Sequence, residues 1–590
     1  MSARREGMLL VGVCLMLYLT GVGEVPFYTR GEPREGMVVQ EMQRTGEWLV
    51  PARPDGDLAR KPPLYYWLGA VALAVLPERA ELALRLPSAI AATAGVAATW
   101  TAARAAFGPA AALPAAAVLA TSFEWVRAAT SARVDMVLGG ALAITFAGFT
   151  LALVRRGRGP LVLATAGAAL AALAKGPVGL ALPALAIGAL MAVRRDRSLL
   201  AWLRPIHVLG VAGAVAALWY GAALMKYGAA FFEVVAKENW LRFIDTDDAK
   251  TGHAHGILYL PLLGLVGLLP WTPLLPLAAV PPRRGDTPAA RAAAFALAWA
   301  VVTLVFFSLA DAKRSVYLLP AFPAFALLVG AALAGPPPTG RVATALRFTT
   351  ALYAPVLLVL AAAVVALAAG VDVVAPFRPW LDPRDAIGAD VVEDAISAVG
   401  SLLGPLAIAA GIASVFLARA ARAADWRRVV TILAVLALGW TMAFDAFVHP
   451  PVARTRSLAA FMRQIDRRVP PAATLHAFYK PDPGMRFYAP RPVQRWGEAT
   501  DDPSYLLLWE DEWQRWRDRA GRPLRPLLVS DARDASRGSL ALFVVRPKGL
   551  VPAPEPSERV VDPGEDGHTL RPLPDVDEGD DLRRDDAAEP

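Results

Sequence analysis

Glu32, Arg34 and Glu35 follow closely on the apolar run that opens the chain, and Lys61 ends the same polar stretch. Comparable groups recur at the ends of later apolar runs: Arg133 and Asp135, Lys175 in Ala174-Lys175-Gly176-Pro177, Glu238 and Arg242, and Lys313 with Arg314. Carboxylates accept protons. Arginine holds an anion with a two-pronged fork and lysine with a compact charge. Ionisable groups beside hydrocarbon are costly, so a set of them points to a site. His253 and His255 have a spacing that serves a metal when the loop is extended, with no third ligand evident.

The elements that must position these groups are apolar helices. Of 590 residues, 56% are hydrophobic and 19% charged, and mean hydropathy is +0.42. This composition describes a polytopic membrane protein, and no nucleic-acid partner is expected. Runs long enough to span the hydrocarbon core fall near 8–25, 84–103, 110–127, 134–154, 160–174, 177–193, 205–224, 257–280, 290–309, 316–334, 345–370, 399–418 and 428–446, about thirteen helices. The first carries Arg4 and Arg5 ahead of it and no small-x-small cleavage site after it, so it reads as an uncleaved helix.

Pro63 to Leu76 is also apolar, but short and opened by two prolines. Basic residues concentrate in cytoplasmic loops. If 63–76 does not cross, Arg4, Arg5, Arg104, Arg155, Arg156, Arg158, Arg194, Arg195, Arg197, Arg283, Arg284, Arg341, Arg419, Arg422, Arg427 and Arg428 all fall on one side. If it crosses, that agreement is lost. The segment therefore reads as interfacial or re-entrant, with the N-terminus cytoplasmic and the ionisable set outside.

Residues 450–551 have soluble character, with strand candidates at 474–480, 504–510, 524–530 and 540–546, and read as a small outer α/β domain. Residues 552–590 read as a disordered acidic tail. The single cysteine, Cys14, supports neither a disulfide framework nor a cysteine metal cluster. Trp219, Trp240 and Trp271 read as aromatic-belt residues.

Four stretches, in order, carry a resemblance: Gly31-Glu32-Pro33-Arg34 through Gly46-Glu47-Trp48-Leu49-Val50-Pro51 to Lys61-Pro62-Pro63; Ala132-Arg133-Val134-Asp135; Leu173-Ala174-Lys175-Gly176-Pro177; and Glu238-Asn239-Trp240-Leu241-Arg242 with Pro270-Trp271 and Lys313-Arg314-Ser315-Val316-Tyr317. In this order they resemble the GT-C membrane glycosyltransferases that use a polyprenyl-phosphate sugar, the aminoarabinose transferase and protein O-mannosyltransferase relatives of glycosyltransferase families 39 and 83. The resemblance implies a mainly α GT-C fold over residues 1–449, with the catalytic loop at 26–83. It also implies transfer of a sugar to an extracytoplasmic lipid A, protein or other envelope-glycan acceptor. The family places an Asp-Glu pair in that loop; here Gly31 replaces the Asp, and Arg60 stands where an acidic residue often precedes Lys-Pro-Pro.

For such a transfer a carboxylate takes the acceptor proton and cations stabilise the departing phosphate. Glu32 is expected as the base, with Asp135 and Glu35 behind it. Arg34, Lys61, Arg133, Lys175, Arg242, Lys313 and Arg314 are expected to meet the phosphate. A divalent metal remains an option. So do two other readings, a lipid-sugar flippase and a glycolipid-binding relative without catalysis; the absence of an evident repeat and the one-sided charges favour the enzyme.

Overall fold

The computed structural model describes residues 2–54, 56–236, 256–281, 285–310, 313–381, 383–477, 481–489, 491–496, 504–514, 525–534 and 537–545. Its first helices are α1 (Ala3–Leu19), α2 (Gly31–Thr45), α3 (Leu64–Val75), α4 (Ala80–Phe107), α5 (Pro109–Ala120), α6 (Phe123–Ala129), α7 (Val134–Val154), α8 (Arg158–Lys175) and α9 (Val178–Arg194).

Among the described residues eight helices are long and apolar enough to cross a membrane, or ten if two bent pairs each count as one span. The chain is a multi-pass membrane protein. Two of the expected continuous spans are broken. Between α5 and α6 the chain turns by 66°: Thr121 and Ser122 donate their hydroxyls back to Ala117 O and Val118 O, and Phe123 N–H leaves the helix for Leu269 O, 2.9 Å away. Between Tyr259–Gly267 and the 3-10 helix Thr272–Ala279 the turn is 105°. There Pro270, Pro273 and Pro276 remove the backbone donors a straight helix needs.

α4, α7, α8 and α9 pack closely because small residues let their backbones approach. A Cβ on Gly140 would lie 2.3 Å from Ala91 O, and one on Gly148 2.5 Å from Ala164 N. With 12 residues, α3 is about 18 Å long against a core of about 30 Å, so it cannot cross upright. This fits the interfacial expectation. Val38, Val39 and Met42 of α2 are buried in the protein core; Val39, for example, packs on Gly69 of α3.

The two ends of the bundle are chemically distinct. At one end Arg194 and Arg291 pair with Asp286, Arg156 and Arg291 lie over Trp202, and Arg104 pairs with Glu6. Of the arginine loops grouped by sequence, those of Arg156 and Arg194 thus meet through Arg291, Trp202 and Asp286. The carboxylates and lysines of the opening loop gather elsewhere.

After the last long apolar helix, β1 (Leu475–Ala477), β2 (Val493–Arg495), β3 (Ser504–Trp509), β4 (Leu528–Asp534) and β5 (Gly538–Val545) form a sheet in the order β2-β1-β3-β5-β4. β1 runs parallel to β2 and β3, whereas β5 is antiparallel to β3 and β4. The four strand candidates overlap β1, β3, β4 and β5; β2, three residues long, was not anticipated. One buried face packs on the helix Ala459–Arg468 through Phe461, Met462 and Ile465. The proposed tail lies outside the described residues.

Candidate active site

The opening loop builds one wall of a cleft. α2 presents Arg34, Glu35 and Val38; the segment before α3 supplies Arg53, Arg60 and Lys61; α3 adds Tyr66; and Asp135, Lys175, Arg314 and Tyr317 close the opposite side. Glu35 sits at its centre. Its Oε1 accepts from Lys61 Nζ at 2.9 Å and Arg34 Nη2 at 3.1 Å, and its Oε2 accepts from the Tyr66 hydroxyl at 2.6 Å. Burial works to raise the Glu35 carboxyl, but Lys61 and Arg34, with the Tyr66 hydrogen bond, overcome it and hold the group at about 2. Burial and the neighbouring Glu35 push the Tyr66 hydroxyl well above its usual range, which keeps it a donor.

Asp135, in the first turn of α7, accepts from Lys175 at the end of α8. Oδ1 makes that contact, while Oδ2 has no protein partner among the described residues. Lys175 also lies 4.4 Å from the centre of the Tyr317 ring. The Lys175-Gly176-Pro177 turn places the lysine here: Gly176 takes φ 69°, which a Cβ would strain, and Pro177 starts the next helix.

Glu32 is elsewhere. It is 3% exposed, receives a two-pronged contact from Arg85 of α4 at 2.7 and 3.1 Å, and accepts from Ala132 N at 3.0 Å. Burial opposes its ionisation, yet Arg85 and the Ala132 N–H hold its carboxyl below the ordinary range. Arg85 also donates to Val22 O and Val25 O. Glu32 therefore ties α2 to α4 and to the start of α7, and no part of it lines the cleft. The sequence reading missed Arg85. An arginine in an otherwise apolar run was the available signal, since such a charge requires a partner.

The other expected residues divide. Arg34, Lys61, Lys175 and Arg314 line the cleft; Arg133 and Lys313 do not, although Lys313 directly precedes Arg314. Arg242, His253 and His255 lie outside the described residues. Arg53, Arg60, Tyr66 and Tyr317 complete the lining without having been singled out as site residues.

Glu47 and Lys226 form another pair that was missed. Glu47 also accepts from Leu49 N and Val50 N and fixes the turn after α2. Trp219 is not a simple belt residue, because its indole N–H donates to Leu49 O at 2.7 Å and so holds this turn. Trp271 is fully buried and donates to Thr121. Trp240 lies outside the described residues.

Among the described residues no group of three His, Cys, Asp or Glu side chains stands close enough to hold a metal ion. Each cleft carboxylate is already met by a lysine, and the position before Lys61 is Arg60. The described donor set does not fit a divalent cation.

The structure is similar to that of ArnT from Cupriavidus metallidurans bound to undecaprenyl phosphate, with a TM-score of 0.72 over 92% of this chain and 98% of that one at 22% identity. The chain has the ArnT-type GT-C fold. Residues 60–227 match the family model described as dolichyl-phosphate-mannose-protein mannosyltransferase. Undecaprenyl phosphate-alpha-4-amino-4-deoxy-L-arabinose arabinosyl transferases are 30% identical in Aeromonas salmonicida (strain A449), over 54% of this chain and 58% of that protein. In Pectobacterium carotovorum subsp. carotovorum (strain PC1) the identity is 29%, over 62% of this chain and 65% of the relative. The matched region thus spans less than two thirds of either relative. The resemblance to GT-C glycosyltransferases read from the motifs is borne out.

Proposed function

We propose that this GT-C chain transfers a sugar from a polyprenyl-phosphate donor to a hydroxyl acceptor at the extracytoplasmic face of the membrane. One observation carries the reading: Glu35–Lys61 of the opening loop and Asp135–Lys175 of two later stretches line the same cleft with Arg34 and Arg314. Lysine and arginine suit a phosphate whose charge grows as it leaves. Asp135 is the proposed base, because Oδ2 remains open to an acceptor hydroxyl whereas both Glu35 oxygens are engaged. The acceptor oxygen bonds to the anomeric carbon, the carbon–phosphate oxygen bond breaks, the lipid phosphate departs between the cations, and the proton passes to Asp135. Attack opposite the leaving group inverts the anomeric centre.

The finer topology belongs to the same proposal. α1, α8 and α9 cross with the ten candidate spans, which gives thirteen. The arginine-rich end is cytoplasmic, so the cleft and the sheet-bearing C-terminal domain lie outside. The acceptor is a lipid A, protein or other envelope glycan, and the carrier class is the one named in the relatives' activities.

The test is turnover of a polyprenyl-phosphate sugar by the purified full-length protein. Asp135→Asn is expected to lower turnover by about 10²-fold or more while donor binding persists. Loss of turnover in Glu35→Gln with full activity in Asp135→Asn would transfer the role of base to Glu35. Unchanged turnover in both would remove the site from this cleft.

A further inference from the structure

The chain that leads into α2 is held by residues far away in sequence. Phe27 N–H donates to the Tyr488 hydroxyl at 2.6 Å, and the Ser457 hydroxyl donates to Phe27 O at 2.7 Å. The Phe27 ring lies 5.0 Å from the Phe487 ring and 4.8 Å from the Arg85 guanidinium that grips Glu32. His449 Nε2 stands 3.2 Å from the Tyr28 hydroxyl, and Arg30 pairs with Asp482. Tyr488 makes a second hydrogen bond, donating at 2.9 Å to Glu81 in the first turn of α4. A phenolic hydroxyl accepts and donates at once, so one atom ties the entry of α2 to the start of α4. Burial and the Glu81 carboxylate push this hydroxyl well above its usual range, which keeps it a donor.

We infer that Tyr488 is a positioning residue for the transfer: through its hydroxyl it fixes the entry of α2 and with it the places of Arg34 and Glu35 in the cleft. The inference deepens the transferase reading and rests on it. Tyr488 and its neighbour Phe487 meet the opening loop at two places. Tyr488 holds Phe27, and Phe487 lies over Gly36, directly after Glu35, where a Cβ would come within 2.7 Å of the ring. A helix held at its entry and beside Glu35 can neither slide nor turn without breaking one of these contacts. Glu35 in turn accepts from Lys61 and Arg34. A displaced α2 therefore moves these cations away from the charge that grows on the departing phosphate. That interaction is stronger in the transition state than with bound donor, so its loss lowers kcat more than it raises KM.

The experiment uses purified full-length protein in lipid nanodiscs, with release of polyprenyl phosphate from a polyprenyl-phosphate sugar as the rate and backbone hydrogen exchange of α2 as a second readout. Tyr488→Phe keeps the ring and removes only the hydroxyl. It is expected to lower kcat about tenfold, as misplacement near a reacting centre does, with the donor KM little changed and α2 exchanging faster. Combined with Glu35→Gln, which removes the group it positions, it should cost little beyond the slower single variant; combined with Lys175→Ala on the opposite wall, the two losses should multiply. Wild-type kcat, a loss carried by KM alone, or losses that multiply in both pairings each overturn the inference. Should Tyr488→Phe not fold, Ser457→Ala, which frees the other main-chain group of Phe27, is read in its place, and wild-type kcat there overturns the inference. If the wild-type protein consumes no donor, the transferase reading fails, and α2 exchange then decides alone whether the Tyr488 hydroxyl sets the helix: faster exchange upholds it and unchanged exchange overturns it.

Discussion

At the residue scale, one carboxylate changes role between sequence and structure. Glu32 keeps a family acidic position in the opening loop, but it lies buried in a two-pronged pair with Arg85. Breaking a buried pair leaves an uncompensated charge and costs about 3–5 kcal/mol. Glu32→Gln should therefore lower the thermal stability of the purified protein markedly; a variant of normal stability that cannot turn over donor would return Glu32 to the chemistry. Lys61→Ala and Lys175→Ala each remove one charge-assisted contact, about 1.5–3 kcal/mol. Their donor binding should weaken roughly ten- to hundredfold, and wild-type affinity in both would place the phosphate elsewhere. Glu35 supplies a pH prediction. Its carboxyl is lowered from 4.5 to about 2, so its stabilising contribution is complete above 4.5 and is lost as pH falls through about 2. Between pH 5 and 8 Glu35→Gln should shift turnover by a constant factor; a factor that varies across that range would contradict the assignment. The sequence brought the opening-loop charges into view, but it could not say which would be spent on one another. Arg85 lies 53 positions from Glu32, and that pairing is decided by packing.

At the element scale, legibility followed the local signals. The arginine loops, the short proline-led α3 and four of the five strands were readable, because charge, helix length and strand alternation are local properties. The breaks after α5 and before Thr272–Ala279 were harder to read, since apolar composition continues through them. Only the prolines near 270–276 and the hydroxyls of Thr121 and Ser122 mark them. α2 offers a direct test of how the opening loop is set. Gly36 follows Glu35 and lies under the ring of Phe487, so a Cβ there would come within 2.7 Å of Phe487 and 3.0 Å of Leu84. The neighbouring Tyr488 accepts from Phe27 N at 2.6 Å and donates to Glu81 at 2.9 Å, and Asp482 pairs with Arg30 at 3.3 Å. Gly36→Ala is expected to lower kcat about tenfold or more, as misplacement near a reacting centre does, with recovery in the double variant carrying Phe487→Leu. Full activity in Gly36→Ala alone would mean that this contact does not position Glu35.

At the scale of the whole molecule, the ArnT-type fold gathers charges from distant loops into one cleft, while Arg156, Arg194 and Arg291 gather around Trp202 and Asp286. Cysteine substituted at Asp57 should react with an impermeant reagent from outside, and cysteine at Arg195 only after permeabilisation; outside labelling at Arg195 would invert the proposed orientation. A flippase and a transferase can bind the same lipid-linked sugar, but only the transferase breaks its bond to phosphate. The decisive measurement is therefore the fate of a donor labelled in both sugar and phosphate, reconstituted with the purified protein in vesicles and supplied with a hydroxyl acceptor. The account predicts that free polyprenyl phosphate and glycosylated acceptor appear in equal amounts, only when acceptor is present, and that Asp135→Asn abolishes both. Donor recovered intact on the opposite leaflet, with no lipid phosphate released, would contradict it.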